Sequence, residues 1–521
     1  MKNFLKTLNL IPDKTERKAW FISYFLINFI YLYHTLNFMW GNHDVKFVKE
    51  QLFLSSGIFE GRFSQFVPPW LLTYGQILPI ITNLLGLGFL TLALWLLAKY
   101  WDIPKSTFNL TLFITFFASL PYTLSWLYFT FITLSCLLWV FFVILGLYIS
   151  SRINQNQSKI PLSILAILCF YLPLGGYPPV INTIAVCFTA KIAISYLFEK
   201  KNLKTLFQIH KYTVLNILLA AILFKLTLKL INPDNVYNLE TTSLADMPAK
   251  FIATIKISYQ QFIISLPFME KGYKITLMIM TLSALVGATI KAIKTKRLLL
   301  TLLLIFGTIW SASLTTFIVI PPTQFVARVD FYGLAFIYAF ALALLLKFKT
   351  PFAHSLALFL MFILIPFNTL NDYRALKIWK QGYDAEFQIL DDINTRIEDH
   401  PQFNNSKQYR LWQIGDITLR PAYYTRKFEQ NEPFLLATPY LASWQCDSLT
   451  EFYMPTSFIK HKTPLLPEDI TPEFYEFITT KARPYPNKNC LWIDENIIVI
   501  IYNQYDLNEF KHKIRPFAPK N

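Results

Sequence analysis

Charge is scarce in this chain, and the familiar nucleotide and metal signatures are missing. Only 15% of its 521 residues are Asp, Glu, Lys or Arg, against about 25% in an average soluble domain. The sequence holds no Walker loop, no glycine-rich dinucleotide turn and no Cys-x-x-Cys-His haem attachment, so nothing marks it as a consumer of nucleotides. His43 has no second histidine at metal-ligand spacing. No cofactor is therefore implied, and only a loosely held divalent cation is left open. A fixed-period repeat and a low-complexity tract are also absent. Of the five cysteines, Cys136, Cys169 and Cys187 sit in apolar runs and read as packing residues. Cys446 and Cys490 lie in the polar tail and can pair if that tail is extracytoplasmic. No cleavable signal peptide is evident: the apolar run after Lys18 is too long and aromatic for a signal core, and no small-residue cleavage site follows.

What the chain has in abundance is apolar surface. It is 54% hydrophobic and 17% aromatic, with a mean hydropathy of +0.38. These values exclude a disordered or ordinary soluble class and point to a polytopic helical membrane protein. Eleven runs approach the roughly 20 residues a span requires. They cover about Lys18–Met39, Gln76–Ala98, Phe108–Leu120, Trp126–Ile149, Ile160–Leu174, Pro178–Leu197, Tyr212–Ile231, Tyr273–Ile290, Leu298–Ile320, Val329–Leu346 and Pro351–Thr369. The third and fifth are short enough to be re-entrant, and Pro121 supplies a hairpin break in the long stretch Phe108–Ile149.

Lysine and arginine fall on alternate loops. With the N-terminus inside, roughly 19 lie in inside segments and 8 in outside loops, although the outside loops are longer. The net charge of +16 thus belongs to the membrane boundary, and nucleic acid is not expected as a partner. From Asn371 the composition turns polar. The expected layout is a polytopic membrane domain over residues 1–370 and a small extracytoplasmic α+β domain over 371–521. In the second, Asn371–His400 has helical spacing, and Cys490–Asn503 reads as a hairpin around Asp494-Glu495-Asn496.

The candidate chemistry collects on the outside loops. The first, Gly41–Trp70, offers Asp44 where the first span leaves the bilayer, placed to act as a general base on an acceptor hydroxyl. The bland alternative is a helix-end Asp in a solvated loop. Glu60 is a second acid or a partner of Arg62, whose planar fork suits a phosphate or, equally, a snorkelling interfacial role. His43 reads as a substrate contact or a plain loop residue. Two tight turns, Ser119–Trp126 with Tyr122 and Trp126, and Pro173–Pro179 with Tyr177 and Asn182 below it, supply aromatics that stack on a sugar or anchor the interface. The fourth cluster, Pro321–Tyr332, places Arg328 and Asp330 at the mouth of an apolar run, where charge is costly and is functional or paired.

Together these features resemble the O-antigen-modifying (Gtr-type, class II) glucosyltransferases, within the C-type (GT-C) membrane glycosyltransferases. The resemblance rests on the Asp44 loop with Gly61-Arg62, the Leu-Pro-Tyr hairpin, Gly175-Gly176-Tyr177-Pro178-Pro179, the late Arg328, and Asn368-Thr369-Leu370-Asn371-Asp372 leading into a helix with Asp384 and Ile393. It covers most of the membrane part and the first tail helix. It implies transfer of a hexose, glucosyl by analogy, from a polyprenyl-phosphate carrier to a surface polysaccharide or glycolipid at the periplasmic face of the bacterial inner membrane. On this reading Asp44 is the base, and Arg62 and Arg328 lie near the carrier phosphate. A polysaccharide polymerase is the alternative, in which Asp246, Lys250 and Lys256 of the 232–272 loop gain weight. A transporter or flippase ranks last, because it calls for mid-span charges and repeat symmetry.

Overall fold

The computed structural model describes residues 8–37, 39, 44, 54–155, 158–199, 201–231, 246–259, 271–315, 327–348, 350–415, 459–462 and 469–517. The chain is mainly helical and divides into two compact units. One comprises Met1–Phe38 with Gln51–Arg374, the other Met39–Glu50 with Ala375–Asn521.

In the first unit, eight helices among the described residues are long and apolar enough to cross a membrane. They are Pro79–Tyr100, Thr130–Arg152, Lys159–Gly176, Val180–Phe198, Leu203–Ile231, Gly272–Lys294, Val329–Lys347 and Pro351–Lys377. The pair Thr107–Ala118 and Pro121–Leu127, bent by 57°, makes a ninth if counted as one broken span. The run taken as a span from Trp126 therefore starts at Thr130, because Pro121–Leu127 forms its own short helix. Proline supplies the break: it has no N–H to continue a helix and is tolerated only in a first turn. Two further candidates are shorter as helices than expected, Lys14–Ile30 and Leu298–Ser311, and the latter run continues into residues outside the described set.

Pro79–Tyr100 packs along Thr130–Arg152, which packs in turn on Lys159–Gly176. Val329–Lys347 is buried along its whole candidate span, whereas Leu203–Ile231 buries little and leaves Leu218, Ile222 and Leu226 exposed. Apolar exposure on that scale is what a lipid-facing helix presents. At the lysine-rich end, Asp13 and Glu16 close a capping box at the start of Lys14–Ile30. They also pair with cations, Asp13 with Lys105 and Glu16 with Lys99 at 3.4 Å.

The second unit is built on a four-stranded mixed sheet, ordered β2-β1-β4-β3, from β1 (Tyr409–Ile414), β2 (Ile459–Lys462), β3 (Leu491–Ile493) and β4 (Ile497–Ile501). β1 runs parallel to β2 and β4, and β3 returns antiparallel to β4 through the expected hairpin. The unbroken apolar run Ile497-Ile498-Val499-Ile500-Ile501 follows from its position, since both faces of β4 are covered. Ile498 and Ile500 meet Leu390, Ile393 and Ile397 of the helix Pro351–Glu398. Ile497, Val499 and Ile501 meet Phe474, Ile478 and Leu507 on the other side. The last candidate span and the tail helix are thus one continuous 48-residue helix, where the sequence suggested a change at Asn371. Cys490 is a buried free thiol here, and burial pushes its pKa up. Cys446 lies outside the described residues.

Candidate active site

The stretch 54–66 folds back on itself before it meets the helices. Leu54–Glu60 forms a 3₁₀ turn, and Arg62 N–H donates to Gly57 O at 2.9 Å. Gly61 makes the reversal at φ +69°, a conformation a side chain would strain. The reversal brings Arg62 Nη1 to 2.8 Å from Glu60 Oε2. Of the two roles open to Glu60, partnering Arg62 is the one this geometry displays.

The next two residues fasten the loop. Phe63 lies on Gly175, where any Cβ would come within 2.2 Å of its ring. Ser64 Oγ donates to Leu172 O at 2.5 Å, and Ser64 N–H donates to Gly175 O at 3.0 Å. The end of the helix Lys159–Gly176 thereby gains a donor for one of its orphan carbonyls. Gly176 is equally constrained, because its absent Cβ would stand 2.1 Å from Trp139 Nε1.

So anchored, the Arg62 guanidinium lies 5.3 Å from the Tyr177 ring centre, within cation–π range. Tyr177 meets Trp126 edge-on at 5.1 Å and Tyr332 at 5.5 Å, and Trp126 meets Tyr332 at 5.6 Å. Tyr332 OH donates to Cys136 O at 3.2 Å, and Thr183 Oγ1 donates to Tyr332 O at 2.8 Å. Four stretches remote in sequence thus converge on one aromatic cluster carrying an ion pair on its rim. Tyr122 stands deeper, beside Tyr338 and the buried Asp330.

The remaining candidates have other surroundings or lie partly outside the described residues. The Asn182 carbonyl oxygen accepts from Thr315 N–H at 2.7 Å and Thr315 Oγ1 at 2.8 Å, which ties two helices together. Asp44 is fully buried and belongs to the second unit. His43 and the stretch 45–50 lie outside the described residues. Arg328 opens the helix Ala327–Tyr332, and only its backbone is described.

Several polar residues entered the sequence reading only through the family resemblance, with no role assigned to them. Asp372 is 1% exposed beside the Tyr31 hydroxyl, which also donates to Ala118 O at 3.0 Å. Asn368 Nδ2 donates to Ser119 Oγ at 2.9 Å, and Tyr273 is close by. Asn368, Asn371 and Asp372 follow i, i+3, i+4 spacing at the end of an apolar run. That buried polar stripe was the available signal. Among the described residues, no group of three or more His, Cys, Asp or Glu side chains could hold a metal ion.

The family model for glucosyl transferase GtrII matches residues 51–346, more than half of the chain and all of the aromatic cluster. The chain belongs to the GtrII glucosyltransferase family. No curated protein and no solved structure matches it. Membership makes it a member of a glycosyltransferase family, which requires a sugar donor and an acceptor. The matched segment includes Glu60, Arg62, Trp126, Tyr177 and Arg328 and excludes Asp44.

Proposed function

We propose that this GtrII-family protein is a multi-pass enzyme of the bacterial inner membrane that moves a glucosyl group from a polyprenyl-phosphate carrier to a surface polysaccharide such as O-antigen. Its N-terminus is cytoplasmic, and its chemistry and C-terminal domain are periplasmic. The observation that carries the reading is the Arg62–Glu60 pair on the rim of the Trp126, Tyr177 and Tyr332 cluster, inside the family-matched segment. Aromatic faces stack on the apolar faces of a pyranose, and an arginine fork binds a phosphate. The lysine asymmetry supports the orientation.

In the reaction the acceptor oxygen forms a bond to the anomeric carbon as the bond from that carbon to the phosphate oxygen breaks. The polyprenyl phosphate leaves with the electron pair, and Arg62 and Arg328 are assigned to its negative charge. A carboxylate takes the acceptor proton. Asp44 is our assignment for that base and Glu60 is its rival.

The deciding experiment compares Asp44→Asn and Glu60→Gln in membranes supplied with a lipid-linked glucose donor. General-base loss lowers transfer by about 10²–10⁴-fold, and we expect that fall for Asp44→Asn. An active Asp44→Asn beside a dead Glu60→Gln moves the base to Glu60. Full activity in both removes the first loop from catalysis.

A further inference from the structure

A cleft of about 1380 Å³ opens at the lysine-rich end of the first unit, at the ends of Val180–Phe198 and Val329–Lys347 opposite Tyr177 and Tyr332. Small-molecule sites usually span roughly 300–1,000 Å³, so this one is large. Its walls are apolar, with Phe198, Val286, Ile290, Leu345, Phe348 and Phe352 prominent. Three of these walls face outward rather than into the core: Phe352 is 78% exposed, Val286 56% and Ile290 48%. Along Lys271–Lys294 the exposed apolar residues Ile275, Ile279, Leu282, Val286, Ile290 and Ile293 follow i, i+3/i+4 spacing. They form one track that leads from the cleft into the lipid-facing surface.

The other lip of the cleft is cationic. Lys291 and Lys294 occupy the last turn of that helix, and Lys347 ends Leu334–Lys347. The two carboxylates nearby already have cations: Asp102 pairs with Lys191, and Glu199 pairs with Lys191 and Lys201. Lys291 lies 4.5 Å over the Phe198 ring and Lys347 donates to Trp101 O and Asp102 O, so both ammonium groups are held at the lip. An apolar track that ends in fixed positive charge matches a molecule with hydrocarbon at one end and negative charge at the other.

We propose that this cleft binds an anionic glycerophospholipid of the adjacent leaflet, with its phosphate between Lys291 and Lys294 and an acyl chain along Val286 and Ile290. The site is separate from the proposed transfer chemistry and stands or falls without it.

The test uses the full chain in detergent micelles doped with phosphatidylglycerol or phosphatidylcholine, with retained lipid counted by native mass spectrometry. Wild type should retain phosphatidylglycerol preferentially, and Lys291→Ala with Lys294→Ala should abolish the preference, at roughly fivefold per lysine. Val286→Trp, at an exposed position, should block both lipids by filling the track. Lys159→Ala with Lys204→Ala, at other loop ends of the same charge class, should leave the preference intact. Equal retention of the two lipids by wild type overturns the proposal. So does an unchanged preference in the Lys291/Lys294 variant, or an equal loss in the Lys159/Lys204 control. Displacement of phosphatidylglycerol by glycerol 3-phosphate at matched concentration also overturns it, because the site then reads phosphate alone.

Discussion

At the scale of single residues, the site owes its form to what is small as much as to what is charged. Arg62 reaches Tyr177 because Gly61 turns the chain and Gly175 leaves room for Phe63. The planar fork of arginine matters for phosphate in a way a lysine point charge does not reproduce. Hydrogen bonds to charged groups contribute about 1.5–3 kcal/mol. Arg62→Lys and Arg328→Lys should therefore each lower transfer roughly 10- to 100-fold while membrane insertion stays normal. Transfer rates and protein recovered in the membrane fraction, measured together, check this. Full transfer by Arg328→Ala would remove that residue from the carrier site.

The same scale shows why sequence alone placed some residues and not others. Trp126, Tyr177 and Arg62 were legible because turns at the membrane surface concentrate prolines, glycines and aromatics. Phe63 and Ser64 were not, because their partners, Gly175 and Leu172, lie more than a hundred residues away. Asn182 was singled out from its place below a turn, and its bonds with Thr315, far along the chain, had no local signal.

Among the elements, helix ends carry the electrostatics. Glu199 follows Val180–Phe198 and is hemmed in by Lys191, Lys201 and Ser195. Burial opposes its ionisation, but the two lysines and the serine outweigh burial and bring its carboxyl down from 4.5 to about 2. A depressed carboxyl stabilises the fold fully above its unfolded pKa and loses that contribution as pH falls through the folded one. Glu199→Gln should thus lower the melting temperature in detergent at pH 7, by roughly 1–3 °C for a chain of this size. The gap from wild type should close between pH 4.5 and about 2. A gap that is constant across this range would mean the residue acts by packing rather than by charge.

Elements also mark where periodicity stops informing. The β3–β4 hairpin was legible from two apolar runs around Asp494-Glu495-Asn496. The parallel pairing of β1 with β4 was not, since it joins segments some eighty residues apart with no local turn to announce it. The fusion of the last span with the tail helix was hidden by composition: polarity changes near Asn371 and Pro366 stands just before it, yet the helix runs through both.

For the whole molecule, the testable property is orientation. Lysine and arginine assign Ser55 and Ser406 to the outer side. Ser55→Cys and Ser406→Cys, each in a background without the native cysteines, should both react with an impermeant maleimide in intact cells. If either one labels only after permeabilisation, the span count is wrong by an odd number between it and the N-terminus.

Phe63 is one ring resting on a residue that has no side chain, with Tyr171 at 5.2 Å and Phe224 at 6.3 Å beside it. Truncating it to alanine leaves an aromatic-shaped vacancy with apolar walls, and such vacancies stay dry and take up small arenes. The loop that carries Arg62 would then depend on a component that solution can supply. Toluene or indole added to the Phe63→Ala protein should restore part of the lost transfer, in proportion to its concentration, and should do nothing for Arg62→Ala. The Arg62 loop would thereby become ligand-dependent, set in place by a molecule that takes no part in the proposed chemistry.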